Sequence, residues 1–181
     1  MLEFGENTLE EIAKNASRSF AEKSRALGAI RGTRYERRDF PIGIGESHDG
    51  EFDYKLRQGI SEVTRGFYWM TLKSGSYQAV RDDFLKNKKP DIAYSKLNAF
   101  GDNKALYVGR SSNLLGRIKQ HIIGGPKATY AMHMSTWAYD LEGLVQIHAA
   151  AYPDAEDDVL QALEDALWDE LTPLFGKRGP R

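Results

Sequence analysis

The stretch Tyr107-Val-Gly-Arg-Ser-Ser-Asn-Leu-Leu-Gly-Arg117-Ile-Lys-Gln-His121 decides the reading of this chain. Ala105 to Gly109 reads as a short strand that breaks at a glycine, and a helix then begins near Ser111–Asn113. Arg117 and His121 stand four residues apart on that helix, so both project from one face. A tyrosine leaving a strand end therefore meets a guanidinium and an imidazole at a strand-to-helix junction. Such a set suits phosphate chemistry, with charge-assisted donors for the oxygens and groups able to move a proton. The alternative for the same residues is a basic surface helix that follows a buried strand.

The stretch resembles the signature of the GIY-YIG nuclease family. Tyr107-Val108-Gly109 stands where that family has "YIG", and Arg117, ten residues beyond the tyrosine, stands where it has its catalytic arginine. His121 matches a histidine or tyrosine found one turn later in several members. Upstream, Gly66-Phe67-Tyr68 opens the apolar run to Leu72 and looks like the first signature, "GIY". Downstream, Glu164-Asp165-Ala166-Leu167 and then Thr172-Pro173-Leu174-Phe175 look like the family's late helix, with its metal-binding glutamate and a proline–aromatic pair after it.

Two departures accompany the resemblance. Tyr68 and Tyr107 are much further apart than the two family signatures commonly are, so residues 74–103 read as an insertion: a helix from about Ser76 to Asn87, then a loop containing Pro90. Loop-closure entropy grows slowly with length, and an insertion between hairpin strands is tolerable. After Phe175, where many members carry an asparagine, this chain has Gly176.

At 181 residues and 41% hydrophobic content the chain can bury a core, and one domain with an extension is expected. The formal net charge of −1 says little, but its distribution is uneven. Lys104, Arg110, Arg117, Lys119 and Lys127 run with no acid between Asp102 and Tyr139, and basic residues dominate from Ile12 to Arg38, including Arg31, Arg34, Arg37 and Arg38. The acids gather from Asp154 to Glu170. Two basic surfaces fit a phosphate-backbone footprint; for the N-terminal one a solvated face is the alternative. The chain has no cysteine, which removes disulfides, thiolate zinc sites and thiol nucleophiles. No signal-peptide pattern opens the sequence and no apolar run reaches membrane-spanning length, so a cytoplasmic protein is expected.

Along the chain, Thr8 to Ala29 has helical periodicity behind a capping-box pattern at Thr8 and Glu11. Thr33 to Gly50 reads as an extended or loop segment, and Phe52 to Val63 carries no clear pattern. Gly66 to Lys73, Leu106 to Gly109 and Leu144 to Tyr152 are the expected core strands. A helix is expected over Ser112–Ile123, stopped by Gly124-Gly125-Pro126, and Met132 to Asp140 reads as a short helix or a loop. The last helix, Ala155 to Leu171, carries an apolar stripe of Leu160, Leu163, Leu167 and Leu171, and Glu164 lies beside it. Most glutamates on such a helix are solvated; the resemblance is what singles out Glu164. His133 and His148 read as structural histidines, and Gly43 and Gly45 form no phosphate loop because no Lys-Ser/Thr follows.

The expectation is an α/β protein, a compact GIY-YIG domain over residues 61–181 with a small mixed or antiparallel three-stranded sheet flanked by helices, behind an N-terminal helical arm and loop over 1–60. The resemblance implies a metal-dependent endonuclease that hydrolyses DNA phosphodiesters, of restriction, defence or repair type. Tyr68 would be the general base, Tyr107 its helper, Arg117 the phosphate ligand, His121 a water-orienting or proton-relaying group, and Glu164 the ligand of Mg²⁺ or Mn²⁺. Arg110, Lys119, Lys127, Arg34, Arg37 and Arg38 are the expected phosphate contacts. DNA is the expected partner, with RNA still open, and a second copy of the chain is a further candidate. The alternatives are a nucleic-acid-binding protein of the same fold with weakened cleavage, and a toxin-like nuclease regulated by a partner.

Overall fold

A computed structural model describes residues 34–42, 64–99 and 101–179, and Arg18 and Glu22 besides. The chain divides after Arg31 into two units, and every strand and helix below belongs to the second, Gly32–Arg181. Arg18 and Glu22 are helical and exposed; the rest of the helix expected over Thr8 to Ala29, and the segment Phe52 to Val63, lie outside the described residues.

Among the described residues four strands form one sheet: β1 (Arg34–Pro41), β2 (Gly66–Ser74), β3 (Tyr107–Ser111) and β4 (Leu144–Ala151), in the order β1-β4-β2-β3. Every neighbouring pair is antiparallel. The three-stranded expectation is thus corrected by one strand, and the mixed alternative falls. The added strand is Arg34–Pro41, within the segment that reads from sequence as extended or loop and is placed in the arm. Its charge obscured it: an edge strand rich in arginine has no apolar alternation, yet it pairs along its whole length with β4.

Among the described residues of this unit three α-helices accompany the sheet: α1 (Tyr77–Asn87), α2 (Leu114–Ile122) and α3 (Asp157–Leu171). The first starts at Ser76, whose hydroxyl accepts from the Ala79 N–H, and it buries Val80 and Phe84 one turn apart. Asn113 caps α2 by accepting from the Gly116 N–H, and that helix buries Leu114, Ile118, His121 and Ile122. Asp157 and Asp158 in the first turn of α3 complement its dipole, and Thr172 ends it in a left-handed conformation.

Strand alternation divides the residues of the sheet between its two faces. Phe40, Tyr68, Met70, Tyr107, Ile147 and Ala149 form one cluster with α1 and α2, completed by Trp137, Leu174 and Phe175. The opposite face carries Phe67, Trp69, Val108, Arg110 and His148, which are paired across the ladders. Here α3 lies against β3 and β2. Trp69 and His148 stack with centroids 4.6 Å apart and planes 4° from parallel. Burial, with the Arg37 charge added, lowers the His148 pKa from 6.5 to about 4 against the opposing pull of Asp39.

The insertion over 74–103 contains α1 and a Pro90 loop, as its residues suggested. It does not project from the domain. Ala93 N–H bonds to the Lys127 carbonyl (2.7 Å), Ser95 N–H to Ala131 (2.8 Å) and Asn98 N–H to Leu174 (2.8 Å). Phe84 of α1 packs edge-on against Trp137 and Phe175. No helix among the described residues is long and apolar enough to cross a membrane.

Candidate active site

Two adjacent strands and one helix bring Tyr68, Tyr107 and His121 together. Tyr68 is the third residue of β2, Tyr107 the first of β3, and His121 lies in the last turn of α2. The two tyrosine rings lie 5.9 Å apart and 16° from parallel. The His121 ring sits 4.0 Å from that of Tyr107, and its Nε2 is 2.9 Å from the Tyr68 hydroxyl. All three side chains are at most 2% exposed.

The protonation of His121 follows from its partners. Its Nδ1 accepts the backbone N–H of Met132 at 3.1 Å. A backbone N–H can only donate, so Nδ1 carries no proton and Nε2 does. Tyr68 Oη therefore accepts from Nε2–H.

Glycines make room for this cluster. Gly109 pairs with Tyr68 across the ladder, and a Cβ there would stand 2.8 Å from both the Tyr68 hydroxyl and Tyr107 Cε1. Gly66 runs so close to β4 that a Cβ would fall 1.9 Å from the Ala150 carbonyl oxygen. Gly176, with φ at +109°, lets the Tyr107 ring pack where a side chain would stand. The position that carries asparagine in many proteins of the resembled family is here filled by a neighbouring ring.

Arg117 is half-buried one turn before His121. Its guanidinium donates to the Tyr130 carbonyl at 2.6 Å and to Gln120 at 2.8 Å. Glu164 lies elsewhere. It is 2% exposed, and the Arg110 guanidinium stands 3.5 Å from its Oε2 while also reaching Gln161 and Asp157. Arg110 follows Tyr107 by three residues, so alternation points it to the α3 face of the sheet. The structure thus joins Tyr68, Tyr107 and His121, and keeps Glu164 with Arg110 across the strand that carries Gly109.

Of the expected phosphate contacts, Arg110 is an ion-pair partner of α3, and Lys127 is exposed and paired with Asp91. Lys119 is half-buried on α2. Arg37 is exposed and lies opposite His148 and Arg38 opposite Ile147, so these two neighbours face different sides, while Arg34 is paired in register with Ala151. What sequence reasoning missed is the loop between α2 and β4, which supplies the Met132 N–H and the Tyr130 carbonyl. Both are backbone groups, which leave no residue signature.

Among the described residues no three His, Asp or Glu side chains gather as metal ligands. Mg²⁺ needs no such cage, because it binds through one or two carboxylates and keeps several waters. No protein-family model, curated protein or solved structure matches the chain.

Proposed function

We propose that the chain is a metal-dependent endonuclease of GIY-YIG type that hydrolyses phosphodiester bonds in DNA. The observation that carries this reading is the hydrogen bond from His121 Nε2–H to Tyr68 Oη, made between the position the resemblance assigns to the general base and the histidine expected to orient water or relay a proton. Tyr68 Oη, oriented by that bond, is the group placed to take a proton from the attacking water. Arg117 exchanges the Tyr130 carbonyl for a non-bridging phosphate oxygen, which a planar guanidinium holds through two donors. Glu164, on the α3 face of the sheet, would hold Mg²⁺ or Mn²⁺ only where Arg110 turns away from it, and the ion would then supply positive charge for the leaving oxygen.

A second reading, a nucleic-acid-binding protein of this fold with weakened cleavage, is favoured by the burial of Tyr68, Tyr107 and His121. Cleavage requires their cover to open on binding, and a binder has no such need. The two readings part in one experiment: plasmid DNA incubated with the protein and Mg²⁺, with and without chelator, beside an anisotropy measurement of DNA affinity. Chelator-sensitive nicking or linearisation supports the nuclease, and affinity without cutting supports the binder.

A further inference from the structure

The inserted loop and the loop before β4 meet at one peptide group. Ser95 N–H donates to the Ala131 carbonyl at 2.8 Å. The N–H of that same peptide unit belongs to Met132, and it donates to His121 Nδ1 at 3.1 Å. His121 Nε2–H in turn reaches Tyr68 Oη at 2.9 Å. Four groups are therefore linked donor to acceptor in a single direction, from the insertion to the phenol. Each bond polarises the next, because an amide that accepts at oxygen becomes a stronger donor at nitrogen.

We propose that this relay, Ser95 to the Ala131–Met132 peptide to His121 to Tyr68, is what the insertion contributes: it locks the histidine tautomer that serves Tyr68, with Ser95 and Met132 as positioning residues acting through their backbone N–H groups. The other tautomer would set the Met132 N–H against an Nδ1–H, donor against donor in a buried site. The surroundings hold the relay in place. Tyr94 Oη accepts from Lys89 N–H (3.2 Å) and bonds to Thr136 Oγ1 (2.8 Å), and Asp91 pairs with Lys127. On the far side Trp137 Nε1–H donates to the Met132 carbonyl at 2.7 Å, while Asn87 Nδ2 donates to the Trp137 carbonyl at 3.2 Å. The same loop carries the Tyr130 carbonyl that holds Arg117. The insertion therefore braces both functional residues of α2.

The effect on cleavage rests on the nuclease reading; the tautomer does not. The test is long-range ¹H–¹⁵N NMR of the full chain labelled at histidine. Wild type and Ser95→Ala, which keeps the N–H, should both give His121 as the Nε2–H tautomer alone. Ser95→Pro removes the first donor, and replacing Met132 by its α-hydroxy acid analogue turns the second N–H into an ester oxygen with the side chain intact. In each the ratio of the Nδ1–H to the Nε2–H tautomer should rise by up to about tenfold, the scale of one lost hydrogen bond, with kcat for nicking reduced and KM unchanged. An Nδ1–H tautomer in wild type, or an unchanged tautomer in the folded ester variant, overturns the proposal. A tautomer that responds in a protein that cuts nothing upholds the relay and removes the nuclease reading.

Discussion

Gly109 lies directly across the ladder from Tyr68, and the Tyr68 hydroxyl occupies the space a side chain at 109 would need. The strand that supplies Tyr107 is thereby also the floor under Tyr68. A methyl at 109 meets two ring systems at once at 2.8 Å, and both belong to the buried core. Gly109→Ala should destabilise the fold by about 1–3 kcal/mol, the usual range for overpacking, and should lengthen the Tyr68–His121 bond. Denaturant melts and the His121 imidazole shifts measure the two effects.

Glu164→Gln tests the metal assignment. It keeps shape and burial and removes the charge that would hold the cation, so DNA cutting should vanish while DNA affinity stays or tightens. Arg110 retains Asp157 and Gln161 as partners, so the variant should remain folded by circular dichroism. Wild-type cutting by Glu164→Gln would place the metal elsewhere on the acidic helix.

Arg117→Lys is compared with Lys119→Arg on the same helix. A lysine cannot reproduce a fork that bonds Tyr130 and Gln120 together, nor its two-donor grip on a phosphate. Turnover at saturating DNA should fall at least about tenfold for the first and little for the second. Equal, mild effects would leave Arg117 as a basic residue of a surface helix.

The parts of this fold that the sequence made legible share a local cause. The helix expected from about Ser76 to Asn87 and the apolar run of β2 were readable because both signals lie within a few residues. Arg34–Pro41 was not, since its membership of the sheet depends on a partner strand more than a hundred residues away. The same holds at the site: Tyr107, Arg117 and His121 stand at a readable spacing, and the structure gathers two of them with Tyr68. That Arg110 would turn to Glu164, and that the peptide before Met132 would govern His121, depends on long-range packing that no residue type announces.

The added strand changes what truncation should do. Deleting residues 1–31 leaves all four strands, whereas deleting 1–59 removes β1 and bares the edge of β4 along its register. The shorter deletion should keep a cooperative thermal transition and the longer one should lose it. Arg34, Arg37 and Arg38 survive only the shorter deletion. If those arginines contact phosphates, the slope of log affinity against log salt should persist there and become shallower in a triple alanine variant of the three. An unchanged slope in the triple variant would take β1 out of the DNA interface.

His148 gives the fold a pH dependence whose sign is fixed. Its pKa is about 4 in the folded chain against an ordinary 6.5, because stacking under Trp69 removes water from the imidazole and Arg37 repels its charged form. Below pH 6.5 the unfolded chain takes up a proton that the folded chain does not. Stability from this residue is therefore complete above about pH 6.5 and declines as the pH falls through the window down to about 4. Asp39 is the counterweight: it lies beside Arg37 on β1, and its own pKa is held low by Lys73 first and Gln146 second. Its protonation belongs below that window. His148→Gln has no proton to gain, so the melting temperature of the variant should be flatter than that of wild type between pH 6.5 and 4. Parallel curves for the two proteins across that range would mean that His148 is charged in the fold, and that the stack on Trp69 does not exclude the proton.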